Sequence, residues 1–393
     1  MKIVVVIYFS LFTVMSFAQK PITEQEIVAL ALQNSAAIRA SGLAVRQNQE
    51  LLKSAFNIPN VDVFTDSPTG FFYTIGVNQT IQNPSVYKRQ YQLQKQQIIL
   101  SEKEKGITEN DIIFRAKNLF LNLQFAESLV SQYRYQDSLY NQIRTGASRQ
   151  FEAGQIDYLA KIFAESQANE IRNQYAQAKA DVQTNRRALQ QFLGVAMPLE
   201  GINLHKRISD LPLASLDSTA FEQNPILLFL RQTEILNKKQ IAVEKARSLP
   251  GFMVGFYNQG AKETGLELRF RFGLSVPIWF GQYKSKITAA QTGFQIAQQR
   301  SKAQTQALSV EVQQAQGDFL KYRQSLEYYE NTGLKQSDEI INTASRLFKA
   351  GQNDYVSFLR TINDAYVIKQ RYWETLRKYN QSLLYINYLT GNQ

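Results

Sequence analysis

The sequence predicts an internally duplicated α+β membrane protein. Long coiled-coil helices would carry strands of a transmembrane β-barrel, four strands from each chain. Three observations predict this. One motif occurs twice, helical seams run further than a globular domain needs, and long strands alternate strictly between hydrocarbon and polar side chains.

The repeat comes first, because it organises the rest. "ASRQFEAGQIDY" at 147–158 returns as "ASRLFKAGQNDY" at 344–355. Weaker echoes pair "LQNSAAI" (32–38) with "EQNPILL" (222–228), and "QQFLG" (190–194) with "INYLTG" (386–391). The chain therefore divides into a first repeat over 19–194, a linker over 195–217 that holds Pro198 and Pro212, and a second repeat over 218–393. Each repeat reads as a helix, two strands and two long helices.

Residues 1–18 read as a secretory signal peptide. Met1-Lys2 is a short basic start, 3–17 are apolar, and Ser16-Phe17-Ala18 offers small residues for cleavage. The chain has no Cys, which closes the bacterial lipoprotein route. With export, the net charge of +11 argues against nucleic acid and turns the basic residues toward lipid phosphates or another anionic partner. No second apolar run approaches the roughly 18 residues of a spanning helix, so any membrane crossing falls to strands.

In the first repeat Thr23 and Glu26 form a capping box that opens the first helix, and Pro59 ends it. Strands follow at 60–66 and 70–82. In the second of these, Phe71, Tyr73, Ile75, Val77 and Ile81 alternate with Phe72, Thr74, Gly76, Asn78 and Thr80. Pro84 sits where a helix begins. Ile112, Ala116, Leu119, Leu123, Ala126, Val130 and Tyr133 then keep a coiled-coil spacing.

The second repeat has strands at 251–259 and 265–278. Its seam runs through Leu308, Val312, Ala315, Phe319, Tyr322 and Leu326, after one stutter. A helix of about 60 residues is on the order of 90 Å long, a length suited to the gap between two membranes.

The stretch "GLELRFRFGLSVPI" (265–278) shows the alternation best. A half-buried soluble sheet alternates too. This apolar face continues beyond the common strand of about five or six residues, and it lies between helices too long to cap an ordinary sheet. A membrane strand needs about 9–11 residues, apolar outward and polar inward. Unpaired backbone is excluded from lipid, so the sheet must close, and four strands are too few to close it. Several chains must then pool strands in a ring. On this reading Glu267, Arg269 and Arg271 line the lumen, while Leu268, Phe270 and Phe272 face lipid.

With the doubled element order, "QNS" and "QNP" early in each half, and "FEAGQIDYL" and "FKAGQNDYV" before each last helix, the chain resembles the TolC family of outer-membrane efflux channels. "NPSVYKRQ" and "YNQSLLYINYLTG" are similar to the branch that serves heavy-metal pumps. The resemblance implies a homotrimer in the outer membrane of a Gram-negative bacterium, with a twelve-stranded barrel and a helical barrel extending into the periplasm. It also implies a periplasmic adaptor and an inner-membrane pump of the resistance-nodulation-division type as partners, passive conduction with heavy-metal cations as a cargo class, and no enzymatic role or cofactor.

The turns at Gly154 and Gly351 would form the periplasmic tips. Asp157 and Asp354 have two readings there, N-capping of the next helix or a carboxylate ring at a constriction. Arg149 and Arg346 are candidates to pair with them and hold the tip shut. Where the best-known member carries gate aspartates, this chain has Ser357 and Arg360, so that gate does not transfer.

No Ser/His/Asp set or phosphate loop stands out. The single His, His205, lies in the linker, and no cluster has metal-ligand spacing. The rival readings are a soluble periplasmic adaptor and a structural coiled-coil protein. Both explain the heptads and neither explains residues 71–82 or 265–278.

Overall fold

The computed structural model describes residues 22–67, 74–196, 207, 221–258 and 265–392. The signal peptide and all of the linker except Val195, Ala196 and Arg207 lie outside them.

The chain opens on α1 (Glu24–Asn34) and α2 (Ala36–Lys53). The capping box is present: Thr23 accepts from the Glu26 N–H, and Glu26 accepts from the Thr23 N–H at 2.8 Å. The expected single first helix is in fact two, bent by 52°. Ser35 leaves the helical region at ψ 122° and its hydroxyl accepts from the Ile38 N–H, so one residue ends α1 and caps α2.

Strands β1 (Asp62–Asp66) and β2 (Thr74–Ile81) lead into α3 (Pro84–Glu152), an unbroken helix of 69 residues. At 1.5 Å per residue it is roughly 100 Å long. Asn83 caps it and Pro84 fills the first turn, where a missing N–H costs nothing. Helix α4 (Tyr158–Leu193) returns along it. The second half runs α5 (Pro225–Arg247), β3 (Gly251–Tyr257), β4 (Phe270–Ser275), α6 (Phe280–Tyr328), α7 (Leu334–Lys349) and α8 (Tyr355–Thr390).

Two differences from the sequence reading stand out. The strand expected over 265–278 is only Phe270–Ser275, because Leu266–Arg269 form a 3₁₀ turn. The pairing with β3 ends at Phe256 opposite Phe270, so Leu266–Arg269 lie outside the ladder. At the other end Pro277 has no N–H to give a ladder.

The second long helix is also not continuous. A π turn at Tyr329–Gly333 separates α6 from α7. Buried Ile112, Ala116 and Leu123 of α3 recur as buried Leu308, Val312 and Phe319 of α6, each 196 positions later. Beyond the π turn the interval is 197, with buried Tyr140 and Ala147 matched by Ser337 and Ala344. A π turn bonds i to i+5 and so holds one extra residue without rotating the helix beyond it. The turn lies between the last buried position of α6, Leu326, and the first of α7, Ser337.

Three apolar clusters hold the rods together. Ile27, Ile112, Phe120, Leu123, Leu189 and Leu193 unite α1, α3 and α4. Leu227, Leu308, Phe319, Leu376, Leu383 and Leu389 unite α5, α6 and α8. The third cluster, with Tyr140, Ile171, Phe358 and Ile362, joins both halves toward the tips.

Each half is latched by one asparagine. Asn34 Nδ2 donates to the Leu193 carbonyl at 2.8 Å, and Asn224 Nδ2 donates to the Leu389 carbonyl at 2.9 Å. Both carbonyls belong to helix ends that lack an intrahelical partner.

Candidate functional site

The four strands form one antiparallel sheet in the order β1-β2-β3-β4. Residues directly opposite each other share a face, so the register assigns both faces. One face carries Val63, Val77, Phe256 and Phe270 in a row, then Gln79, Val254 and Phe272, then Ile81, Phe252 and Leu274. It is apolar except for Gln79 and Thr65. It is also bare: Phe272 is 80% exposed, and Val63 and Leu274 are exposed as well.

The opposite face carries Asp62, Asn78, Gly255 and Arg271 in one row, with Thr74, Thr80 and Ser275 nearby. Its glycines are covered by larger neighbours. The Phe64 ring lies where a Cβ of Gly76 would be, and Met253 crowds Gly273. The Arg271 guanidinium stacks 3.9 Å from the centre of the Tyr257 ring.

Of the three expected lumen residues, only Arg271 is on a strand. Arg269 sits on the 3₁₀ turn and donates from Nη1 to Asn258 Oδ1 at 2.7 Å. Glu267 is on the same turn and exposed. The side chain of Leu268 is outside the described set. Asn78 lies on the polar parity already visible in the sequence of 70–82, whereas Asp62 was not singled out, because β1 alternates over too few residues to reveal a face.

The two turns between rods share one backbone. Gly154 and Gly351 both have φ +70°. Gln155 and Gln352 donate their N–H to the Gln150 and Leu347 carbonyls at 2.8 and 3.0 Å. Gly154 and Gly351 donate to Phe151 and Phe348 at 2.9 and 3.0 Å. This pair of bonds is the Schellman arrangement, which a left-handed glycine completes.

Asp157 then caps α4, accepting from the Ala160 N–H at 2.8 Å. Asp354 caps α8, accepting from the Ser357 N–H at 2.9 Å and the Ser357 hydroxyl at 2.7 Å. These two donors hold the Asp354 carboxyl below the usual carboxylate range.

Arg149 and Arg346 do not pair with these carboxylates within the chain. Among the described residues no such ion pair forms, and Arg346 Nη2 instead approaches Thr343 Oγ1 at 3.3 Å. The caps already occupy the carboxylates, and the arginines lie on the preceding helix. Arg360 lies 5.9 Å from the centre of the Phe163 ring, a cation over an aromatic face of the other hairpin.

Among the described residues no His, Cys, Asp or Glu cluster could hold a metal ion, and no single helix is long and apolar enough to cross a membrane. The second observation says nothing of strands.

The site is thus a small open sheet, bare of cover on its apolar face and mounted on rods of this length, an architecture shared with known proteins. The comparisons agree. The family described as outer membrane efflux protein matches residues 216–392. CusC, solved in work on transmembrane channel formation, superposes with a TM-score of 0.78 at 15% identity, covering 94% of this chain and 92% of its own. The Campylobacter jejuni CmeC outer membrane channel gives 0.75 at 15%, covering 94% and 85%. The open-state Neisseria gonorrhoeae MtrE channel gives 0.74 at 14%, covering 94% and 88%. No curated protein matches the sequence.

Residues 216–392 thus match the outer membrane efflux protein family, and nearly the whole chain has the fold of these solved outer-membrane channels.

Proposed function

We propose that this chain is one protomer of a homotrimeric channel in the outer membrane, an efflux component whose rods extend into the periplasm, a reading supported by the family match over residues 216–392 and by the shared fold. It would conduct substrate passively from an inner-membrane pump of the resistance-nodulation-division type, through a periplasmic adaptor, to the outside. One observation carries the reading: among the described residues the sheet has a bare apolar face and two unpaired edges, β1 and β4. In lipid each unpaired backbone group costs several kcal/mol, so those edges need partners. Across three antiparallel pairings β1 and β4 run in opposite directions, so β4 of one chain meets β1 of the next in the same antiparallel sense. Head-to-tail contacts of this kind close into a ring. Three copies make the twelve strands that the family resemblance implies.

In that ring the Asp62, Asn78 and Arg271 row faces the lumen and the Phe270 and Phe272 side faces lipid. The repeats, 19–194 and 218–393, are two versions of one unit joined by the linker over 195–217. The tips around Gly154, Asp157, Gly351 and Asp354 are the surface for the adaptor and pump, with Arg149 and Arg346 available to partners there. Cargo crosses without chemistry. Heavy-metal cations, the class the resemblance implies, would pass without a ligand cluster among the described residues.

Purified protein added to a planar lipid bilayer tests this. Discrete, voltage-sustained conductance steps from a species that cross-links as three chains are expected. A protein that cross-links as three but never conducts would overturn the channel reading.

A further inference from the structure

Where the sheet meets the rods, the apolar face of β4 continues through Val276 and Ile278 to Trp279 and Phe280, all exposed, with Trp279 76% so. Cations follow directly. The first 31 residues of α6, 280–310, carry Lys284, Lys286, Arg300 and Lys302 and no carboxylate. The first 18 residues of α3, 84–101, carry Lys88, Arg89 and Lys95 and no carboxylate.

A cavity of about 680 Å³ opens at this level. Its wall includes Arg247, Lys286, Ile278, Trp279 and Tyr283. Glu244 bonds one guanidinium nitrogen of Arg247 at 3.0 Å, and among the described residues no carboxylate pairs with Lys284 or Lys286.

We propose that this cleft binds the headgroup of an anionic phospholipid from the periplasmic leaflet. The proposal rests on the outer-membrane reading above and adds a lipid class to it. Arg247 and Lys286 receive the phosphate, Tyr283 supplies a hydroxyl at headgroup depth, and Ile278 and Trp279 lie along the first acyl carbons. Trp and Tyr favour that boundary because one end of each ring system is apolar and the other polar. Each basic residue near a membrane surface attracts anionic lipid by about 1 kcal/mol, roughly five-fold in affinity.

The test uses the detergent-purified trimer. Lipid retention is counted by native mass spectrometry with phosphatidylglycerol, phosphatidylcholine or inorganic phosphate at equal concentration. Quenching of Trp279 by brominated phosphatidylglycerol is read in a Trp373→Phe background. Retention of phosphatidylglycerol over phosphatidylcholine is expected, with no competition from phosphate and strong quenching. Lys284→Gln with Lys286→Gln should lower that preference roughly 25-fold while leaving bilayer conductance in place.

Equal retention of both lipids, or an unchanged preference in the double variant, would overturn the site. So would loss of the trimer in the double variant without quenching of Trp279, since the cleft would then be a seam between protomers. A protein that neither inserts nor conducts contradicts the channel reading itself and is told apart by the bilayer measurement.

Discussion

The turns at Gly154 and Gly351 have the same backbone and opposite surroundings. Their glycines share φ +70°, and the capping Asp157 and Asp354 share φ −78° with ψ of 169° and 165°. Yet Tyr158 is 62% exposed and its counterpart Tyr355 only 5%. Ile162 is 40% exposed and Leu359 only 1%. Phe348 stacks on Phe358 at 4.3 Å between ring centres, whereas the first turn has only the looser Phe151–Tyr158 contact at 5.8 Å. The difference teaches that a local code fixes the turn, while the neighbouring rods decide what it buries. The second turn packs inward, and the first leaves an apolar face exposed.

The rods sharpen the comparison. α3 runs unbroken, and α6 and α7 need a π turn to hold one extra residue. The turn is braced where Arg207 of the linker forms a two-pronged pair with Glu330, using Nε at 3.3 Å and Nη2.

The largest expected effect follows from that asymmetry. Deleting exposed Thr332 should let α6 and α7 merge into one helix with the tip still in phase, and trimer yield should stay close to the parent. Deleting Gln132 from α3 should rotate everything beyond it by about 100°, turning Tyr140, Ile143 and Ala147 out of the core. At roughly 2–5 kcal/mol for each large core residue, no folded trimer should be recovered. Size-exclusion profiles and circular dichroism check both variants, and equal damage from the two deletions would break the account of the π turn.

A smaller contrast compares the two tips. Leu359→Ala should cost about 2–5 kcal/mol and Ile162→Ala under about 1 kcal/mol, measured as loss of helical signal in denaturant. If Ile162→Ala proves as costly, its face is already buried against another protomer.

The smallest effect concerns pH. The Asp354 carboxyl is held below its ordinary value of 3.8 by the Ser357 N–H and hydroxyl. Its cap is therefore fully effective above that ordinary value and is lost as pH falls through the lower folded value. Asp354→Asn keeps an acceptor and should flatten the acid limb of the melting curve, whereas Asp354→Ala should cost roughly 1 kcal/mol at neutral pH.

Much of the frame was legible because its signals are local. The capping box at Thr23 and Glu26, Pro84 at a helix start, the two glycine turns and the seam through Leu308 and Phe319 all act within a few residues. What escaped depends on distant partners. "QNS" and "QNP" are visible as a repeated motif, but the role of Asn34 and Asn224 needs carbonyls at Leu193 and Leu389. Alternation over 265–278 suggests a long strand, yet the ladder with β3 ends at Phe270, which leaves Glu267 and Arg269 on a turn. Tyr158 and Tyr355 occupy the same motif position, so nothing local distinguishes the bare one from the buried one.

The central claim is that the sheet lines a water-filled pore in a membrane. Single cysteines at Val77, Asn78, Phe270, Arg271 and Phe272, introduced into this Cys-free chain, test it most directly with a membrane-impermeant thiol reagent on isolated outer membranes. The account predicts that positions 78 and 271 label while 77, 270 and 272 resist. Uniform labelling of all five, or a protein that washes off the membrane in carbonate, would contradict it.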